Sequence, residues 1–478
     1  MNTPIADFCK NYNESDTVRL HMPGHKGTGP LGAEALDITE ICGADSLYEA
    51  DGIILESENN ASELFNTRHT YYSAGGSSQS IKAMHLLAYK YAAAKNKPGS
   101  RLSVLAGRNA HRAYVQAMQL IGFDTVWYPS EDENFSLCRC RVTPDGLRAY
   151  LESVNGTEAG RSIYAVYVTS PDYLGGMLDI EGLAKAAHEY GKLLLVDNAH
   201  GAYLKFMPKD RHPMTLGADM CADSAHKTLP VLTGGSYLHI SKNAPKNIEE
   251  TARDSMVLFG STSPSYLILQ SMDLCNKWLV EEGRAAFAEA AERTDDLRSN
   301  CEAHGLVFYG NEKLKLTLNV KASGFTDGRK TAESLRNHAI EIEYADPDYA
   351  VMMFSPGSKP EDYSKAEAAL LLLAEQGGAH RAEARDGGRP GSNPACSCSH
   401  PGGLTFTLPE QVVHPREALL LPSEEIAAAC AEGRIAADAE IGCPPAVSPV
   451  AAGERITAEA VRILEYYGIE RIRALKEA

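Results

Sequence analysis

The sequence has no long hydrophobic run, no excess of positive charge and no C-x-x-C pair of cysteines. Its longest purely apolar stretches, such as AALLLLA at 368–374, are far shorter than the roughly 20 residues of a membrane-spanning helix. Its 46 lysines and arginines are outnumbered by 63 aspartates and glutamates, which gives a net charge of −17. Because such a chain repels phosphate backbones, we expect neither a nucleic acid nor a membrane as partner, whereas cationic small molecules are compatible with it.

The eleven cysteines include no C-x-x-C pair. The two C-x-C pairs, Cys138/Cys140 and Cys396/Cys398, lack the usual spacing of zinc ligands, so we expect no metal site. The first residues, MNTPIADFCKNYNESD, lack the basic and apolar regions of a signal peptide. Reduced, buried thiols in a cytoplasmic protein are therefore the expectation.

Short apolar runs alternate with helical patterns over most of the first 290 residues. The runs predict strands at 102–107, 163–169, 192–197 and 236–240. The intervening patterns predict helices at 80–95, 110–122, 143–154 and 179–191. Because these strands lack polar alternation, we expect an α/β fold with a mainly parallel sheet that helices cover on both faces.

The pattern changes near residue 290, after a long predicted helix that begins in SPSYLILQSMD. Beyond it, strands at 313–320 and 349–355 flank a helix at 330–340, which indicates a smaller α+β unit. Residues 377–403 are rich in glycine, proline and serine, and two more helices are expected at 423–436 and 457–468. The predicted divisions are an N-terminal segment that packs on the large domain (1–55), the large domain (56–290), a small α+β domain (291–376), a flexible linker or insertion (377–403) and the rest of the C-terminal domain (404–478).

The segment SAGGSSQSI at 73–81 has the composition of a phosphate-binding turn. Its glycines allow close backbone approach, its serines can donate hydrogen bonds, and a helix N-terminus adds partial positive charge. It is not a nucleotide P-loop, because no G-K-[ST] follows. Turns of this kind are common, so the segment alone does not identify a ligand.

Polar residues follow several predicted strands, at the edge where open α/β sheets bind ligands. His111 follows the first strand, Asp197 ends the third with His200 shortly after it, and Lys227 lies 30 residues beyond Asp197. Pyridoxal phosphate (PLP) requires such a lysine to bind it covalently and such an aspartate to keep its ring nitrogen protonated. Singly, Asp197 could be a loop or helix-capping residue, His111 a solvated residue at a helix start and Lys227 a surface lysine. Their order at successive strand ends favours the cofactor site.

Several longer segments, taken in order, resemble one known family. They are LHMPGHKG, SAGGSSQSI, GRNAHRA, VTSPDYLGG, VDNAHGAY, DSAHKTLPVLTGGSYL, STSPSYLILQSMD and the C-terminal GRIAAD…CPPAVSPVAAGERI. Together they are similar to the ornithine/lysine/arginine decarboxylases in their short bacterial form, which are fold-type I PLP enzymes. The resemblance covers nearly the whole chain. It implies a fold-type I large domain with a mainly parallel central sheet, plus a smaller α+β C-terminal domain.

The resemblance also implies roles for individual residues. Lys227 would hold PLP, Asp197 would pair with its pyridinium nitrogen, and His111 would stack on its ring. His226 would protonate the substrate carbon after loss of carbon dioxide. The full set of implied cofactor-binding residues is Gly76, Ser77, Ser78, His111, Ser170, Asp197, His200, Ser224, His226, Lys227, Ser261 and Thr262.

The segment Ser261, Thr262 and Ser263 resembles the one that reaches the phosphate of the neighbouring subunit, which implies an obligate homodimer, or a higher homo-oligomer, with shared sites. The implied substrate is a basic amino acid, with arginine expected before lysine or ornithine. Asn198 stands where many members carry glutamate, so substrate preference does not transfer directly. Because the pair of Asp197 and Lys227 serves every fold-type I reaction, aminotransfer, β-elimination and a non-catalytic PLP-binding regulator stay open as alternatives.

Overall fold

A computed structural model describes residues 1–132, 136–385, 406–437 and 447–477, with only the backbone described at 376–385. The chain forms two compact units. The first comprises Met1–Tyr128, Val142–Ser170 and Leu178–Ala285, and the second comprises Pro129–Arg141, Pro171–Met177 and Ala286–Ala478. None of the helices in the described part combines the length and the apolar composition that crossing a bilayer requires.

The first unit is built on a seven-stranded sheet. Its strands are β1 (His69–Ser73), β2 (Ser103–Ala106), β3 (Asp124–Trp127), β4 (Ile163–Thr169), β5 (Leu193–Asp197), β6 (Met220–Asp223) and β7 (Ser236–Ile240). They are ordered β1-β7-β6-β5-β4-β2-β3. Strands β2 to β6 pair in parallel, whereas β7 pairs antiparallel with both β6 and β1. The prediction of a mainly parallel sheet is therefore confirmed, and β2, β4, β5 and β7 confirm the four predicted strands.

Strand β5 lies in the middle of the parallel part, between β4 and β6. All five of its residues are buried, including the terminal Asp197. A strand covered on both faces has no solvent side on which to place polar residues, which explains its unbroken apolar run. Asp197 is the polar exception at the end of β5, and its carboxylate forms part of the candidate active site.

Eleven helices belong to the first unit. They are α1 (Pro4–Glu14), α2 (Ile53–Phe65), α3 (Gly76–Lys95), α4 (Arg112–Ile121), α5 (Pro144–Val154), α6 (Glu158–Ser162), α7 (Ile180–Glu189), α8 (Pro213–Leu216), α9 (Ala225–Thr228), α10 (Ala252–Val257) and α11 (Tyr266–Trp278). The four helices predicted between the strands are confirmed as α3, α4, α5 and α7. Gly122 ends α4 in the left-handed conformation (φ +88°), and its N–H donates to the Met118 carbonyl at 2.9 Å.

The N-terminal helix α1 is fastened by a buried carboxylate on α11. The backbone N–H groups of Ile5 and Ala6 donate to Asp273 Oδ2 at 2.9 and 3.1 Å. The Ser57 hydroxyl of α2 donates to Asp273 Oδ1 at 2.6 Å. Two of the N–H groups that a helix start leaves without an intrahelical acceptor are thereby satisfied. Asp273 thus joins three helices in one buried contact.

The second unit contains smaller sheets. After a π-helical turn at Leu279–Gly283 the chain forms α12 (Arg284–Ala303), which confirms the long predicted helix. The helices and strands that follow are β8 (Phe308–Tyr309), β9 (Lys315–Asn319), α13 (Gly328–Asn337), β10 (Tyr344–Ala345), β11 (Tyr349–Met353), α14 (Pro360–Arg385), α15 (Pro415–Leu420), β12 (Ser423–Ala427), α16 (Ala458–Tyr466) and β13 (Arg471–Leu475). Strands β8 to β11 form a four-stranded antiparallel sheet, ordered β10-β11-β9-β8, and β12 and β13 form a two-stranded one.

Two expectations for the second unit need correction. The prediction of a helix at 423–436 is wrong, because its first five residues form β12. This strand pairs with β13, and Ile426 lies opposite Ile472 in the pairing. The linker predicted at 377–403 begins too early, because α14 continues to Arg385. Residues 386–403 of that predicted linker lie outside the described residues. The helices predicted at 330–340 and 457–468 are confirmed as α13 and α16.

Replacing Asp273 by alanine should lower the free energy of unfolding by about 2–4 kcal/mol, because two backbone N–H groups and a hydroxyl lose their acceptor. Urea unfolding measures the loss, and hydrogen exchange should show α1 opening first. The control is Asp7→Ala, which removes an exposed carboxylate from the first turn of α1 and should cost no more than about 0.5 kcal/mol. Equal losses in the two variants would contradict the anchoring role of Asp273.

Candidate active site

Lys227 lies on α9, a single helical turn directly after β6. Its Nζ is 3.1 Å from Nε2 of His200, which follows β5 and is buried. A protonated lysine can only donate hydrogen bonds, so His200 Nε2 is the acceptor. The neutral imidazole then carries its proton on Nδ1. The parallel pairing of β5 with β6 thus places an imidazole lone pair directly beside the lysine amine.

Asp197 ends β5 with its carboxylate buried and held by two donors. The Ala199 N–H donates to Oδ1 and the Tyr167 hydroxyl donates to Oδ2, each at 3.1 Å. Burial raises the pKa of the Asp197 carboxyl above its usual range, while the positive charge of Lys227 acts in the opposite direction. A cationic group placed against this carboxylate would favour its ionised form.

His111 caps the N-terminus of α4, immediately after the β2 strand end. Its Nδ1 accepts the Ala113 N–H at 3.1 Å, which leaves the ring proton on Nε2. Burial, together with the positive charge of Lys227, lowers the pKa of His111 to about 3. At neutral pH the ring is therefore an uncharged flat surface beside Lys227, as stacking on a cofactor ring requires.

The predicted phosphate loop forms the start of α3, a helix of 20 residues. Gly76 adopts φ +69°, and nothing lies within 4 Å of the position that a Cβ would take. The Gly76 N–H donates to the Gly234 carbonyl at 2.8 Å, so it is engaged there and does not point to a phosphate. The Ser224 hydroxyl donates to Ser77 Oγ at 2.7 Å, which joins the α3 start to the β6 end. Ser77 and Ser78 in the first helical turn are therefore the residues that could donate to a phosphate, and Gly76 supplies the bend.

Ser170 directly follows β4 and His226 lies on α9, and the polar groups of both are partly engaged. The Ser170 N–H donates to the Asp197 carbonyl at 3.0 Å, and its Oγ accepts the Leu178 N–H at 3.0 Å. His226 Nδ1 donates to the Gly235 carbonyl at 2.9 Å. Burial lowers the pKa of His226, so little of it is protonated at neutral pH. This weakens the expectation that His226 supplies the proton to the substrate carbon.

Ser261, Thr262 and Ser263 are exposed to solvent in the single chain. The Ser263 N–H donates to Ser261 Oγ at 3.1 Å. No hydrogen bond within the described ranges connects these three residues to the other predicted site residues. They therefore lie outside the hydrogen-bonded set around Lys227 in the described part of the chain.

Sequence reasoning missed Tyr167, whose hydroxyl reaches Asp197. The register could have revealed it, because Tyr167 pairs with Leu195 and so faces the same side of the sheet as Asp197, two residues further on. Gln79 was also missed. Its side-chain amide donates to Tyr48 Oη and to the Met256 carbonyl, each at 2.9 Å, and thereby braces the first turns of α3. No sequence signal marks it.

The residues present fit the three parts of PLP. A primary amine next to a base can bind an aldehyde, a buried carboxylate can face a pyridinium nitrogen, and an open, hydroxyl-lined helix N-terminus can hold a phosphate. The neutral His111 ring provides a face for the cofactor ring. The fit lies in the chemistry of this donor set.

Comparison with known proteins agrees with this geometry. The family model described as "Orn/Lys/Arg decarboxylase, major domain" matches residues 3–318. Arginine decarboxylase of Bacillus subtilis is 27% identical over 484 residues, covering 96% of this chain and 92% of that protein. Arginine decarboxylase of Bacillus anthracis is 26% identical, covering 95% and 91%.

Solved structures show the same fold. The Francisella novicida lysine decarboxylase LdcF has a TM-score of 0.76 at 15% identity and covers 99% of this chain and 81% of its own. Lysine decarboxylase A of Pseudomonas aeruginosa also has a TM-score of 0.76, at 17% identity, with coverages of 99% and 80%. At these identities the likeness establishes the α/β fold-type I architecture.

Tyr167→Phe should lower the free energy of unfolding by about 1–3 kcal/mol, because buried Asp197 loses one of its two donors. Urea unfolding of the cofactor-free protein measures the change. The matched control is Tyr164→Phe on the same strand, where the buried hydroxyl has no hydrogen-bond partner within the described part of the chain. That variant should leave stability unchanged or raise it, because it removes a buried hydroxyl that makes no hydrogen bond. A similar loss in both variants would argue that the Tyr167 hydroxyl does not support Asp197.

Proposed function

Because the chain belongs to the Orn/Lys/Arg decarboxylase family and is an amino acid decarboxylase, we propose that it converts arginine to the corresponding amine and carbon dioxide with PLP as cofactor. The observation that carries the proposal is the convergence of Lys227, His200 and Asp197 at the adjacent ends of β5 and β6. Arginine is chosen over lysine and ornithine because curated proteins that are 26–27% identical over nearly the whole chain are named arginine decarboxylases. The solved lysine decarboxylases keep lysine as the first alternative.

The other fold-type I reactions are less well supported. The ureidoglycine–glyoxylate aminotransferase of Bacillus subtilis has a TM-score of 0.53 and covers 68% of this chain, whereas the lysine decarboxylases cover 99%. The likeness to the lysine decarboxylases therefore extends over the second unit as well as the first. Aminotransfer would produce a keto acid and no carbon dioxide, so a product assay separates the two reactions.

Each proposed role follows from one local geometry. Ser77, Ser78 and Ser224 would hold the phosphate at the start of α3, and His111 would lie against the ring. Asp197 would keep a proton on the pyridine nitrogen. Bound there, PLP supplies a conjugated electron sink for the pair of electrons that departing carbon dioxide leaves on the substrate.

Lys227 and His200 handle protons as a pair. A lysine amine is nucleophilic only after losing a proton, and His200 Nε2 at 3.1 Å is the acceptor beside it. With substrate bound, Lys227 Nζ would be available to carry a proton. We assign the protonation of the substrate carbon to Lys227 rather than to His226, because Nδ1 of His226 is committed to Gly235 and its pKa is lowered.

We also propose a homodimer in which Ser261 and Thr262 complete the phosphate site of the neighbouring subunit. The exposure of both residues in the single chain supports this. So do exposed apolar side chains in the N-terminal segment, with Val18 75%, Leu20 89% and Leu31 78% exposed. A surface of this kind is compatible with burial against a second copy.

Lys227→Ala should lower carbon dioxide release from arginine by at least ~10³-fold, because the covalent anchor and the proton carrier are lost together. A ¹⁴C-carboxyl release assay with arginine, lysine and ornithine in parallel measures it. The control is Lys209→Ala, an exposed lysine nearby in sequence that should leave activity unchanged. If wild-type protein loaded with PLP released no carbon dioxide from any of the three, the proposed reaction would be wrong.

Mixing two inactive variants tests the shared site. Lys227→Ala and the double variant Ser261→Ala/Thr262→Ala should each be weakly active alone. Unfolded together and refolded, they should recover about a quarter of wild-type activity, because half of the dimers are hybrids with one intact site of two. Recovery no greater than the sum of the parents would show that these residues do not act across subunits.

A further inference from the structure

A cluster of buried polar side chains lies on the reverse face of the sheet, behind Asp197. We call it the Asp223 cluster; its members are Asn198, His212, Cys221, Asp223 and His239, and all are fully buried. Cys221 pairs with His239 across β6 and β7, whereas Asp197 pairs with Ala222. Because side chains alternate along a strand, the cluster and Asp197 lie on opposite faces of the same strand ends.

The Asp223 carboxylate accepts from four donors. On Oδ2 it accepts His212 Nε2 at 2.8 Å and His239 Nε2 at 3.2 Å. On Oδ1 it accepts the Asn198 amide at 2.7 Å and the Cys221 thiol at 3.7 Å. Burial raises the pKa of Asp223, but the two histidines outweigh it and hold the pKa well below the usual range. A buried carboxylate is thus kept ionised with its acceptor positions in use.

Four members of the cluster, His212, Cys221, Asp223 and His239, could also be read as a metal-binding set, because their ligand atoms lie within 4.8 Å of one another. The hydrogen bonds argue against it. His212 Nδ1 accepts the Met214 N–H at 3.3 Å, so a neutral His212 carries its proton on the Nε2 that a metal would need. The Nε2–Oδ2 separation of 2.8 Å is also shorter than the about 3.3 Å between two ligands of a tetrahedral zinc ion.

Asn198 connects the Asp223 cluster to the active-site side of the sheet. It follows Asp197 directly, and its backbone N–H donates to the Ala222 carbonyl at 3.0 Å. Its side-chain amide donates to Asp223, so the backbone beside Asp197 is fastened to β6 twice. A carboxylate at position 198 would face the Asp223 carboxylate at close range and repel it. Asn198 and Asp223 therefore form a matched donor–acceptor pair.

Asp223 also ends β6, next to Ser224 and the turn that carries Lys227. His212 and His239 hold it from the loop before α8 and from β7. The carboxylate therefore fixes the end of β6 against β5 and β7 at once. We propose that Asp223, through Asn198, is the positioning residue that sets Asp197 and Lys227 at the spacing PLP needs. This deepens the proposed function and depends on it only in that Asp197 and Lys227 hold PLP.

The test reverses the polarity of the pair. Asn198→Asp places two carboxylates together, and Asp223→Asn turns an amide toward another amide. In Asn198→Asp/Asp223→Asn, the new amide can donate to residue 198 while its oxygen accepts from His212 and His239, so all but the weak thiol contact returns. Each single variant should weaken PLP binding at least ~10-fold, and the double variant should return to within about 3-fold of wild type.

Two readouts besides activity decide the outcome. The dissociation constant of PLP comes from titration of its visible absorbance, and the pH midpoint of the visible band of bound PLP reports on its ring and imine nitrogens. Each single variant should shift that midpoint by at least about 0.5 pH unit, since a change in the Asp197–Lys227 spacing alters the charges facing those atoms. The double variant should restore it.

The control is Asp219→Asn. Asp219 is a buried carboxylate that begins the β6 segment at its other end, where it accepts from His188 and the Leu194 N–H. This variant should lower the unfolding midpoint of the cofactor-free protein without changing PLP affinity or the spectral midpoint. If Asp223→Asn did the same, the cluster would be structural only and the proposal would be overturned. Should Asp223→Asn not fold, Asn198→Ala removes one donor and should weaken PLP binding about 3-fold.

Two further outcomes have distinct meanings. A stoichiometric metal in purified wild-type protein, absent from Asp223→Asn, would overturn the proposal in favour of a metal site. Normal PLP binding in wild type without carbon dioxide release would refute the proposed reaction only, because the PLP titrations of the variants would still decide the role of Asp223.

Discussion

The parallel pairing of β5 with β6 is the contact on which the rest of the site depends. It brings Asp197, His200 and Lys227 from two separate parts of the chain to one sheet edge. The α3 helix is then tied to the same edge through the bond between Ser224 and Ser77. Parallel strands are joined by long connections, so each strand end begins a separate connection that can carry its own polar residue. The strands themselves are covered on both faces and stay apolar.

The buried charges of the first unit are arranged so that each has a defined set of partners. Asp273 accepts from a helix start, Asp197 from a hydroxyl and an N–H, and Asp223 from two imidazoles, an amide and a thiol. An unsatisfied carboxylate in these positions would be strongly unfavourable. The reverse face of the sheet thus carries its own set of hydrogen-bonded polar groups directly behind Asp197.

The sequence was sufficient for the main architecture and for the strand-end residues. Unbroken apolar runs predicted β4 and β5 correctly, and the spacing of Asp197 and Lys227 pointed to the cofactor. The short β6, Met220–Asp223, was not recognised because four residues of mixed character carry no periodicity. The segment 423–436 was misread because its alanines favour a helix, whereas pairing with β13 decided its conformation. Tyr167 and the partners of Asp223 depend on register and on tertiary contacts, which a linear pattern does not contain.

The lysine turn is held on both sides by the phosphate loop. Ser77 bonds Ser224 ahead of Lys227, and Gly76 bonds Gly234 behind it. Any anion that orders the first turn of α3 must therefore also restrict the segment that carries the reactive amine. Binding of an anion at the start of α3 and loss of conformational freedom at Lys227 would thus be thermodynamically linked. A free phosphate ion alone would then favour the conformation in which the Lys227 segment is ordered.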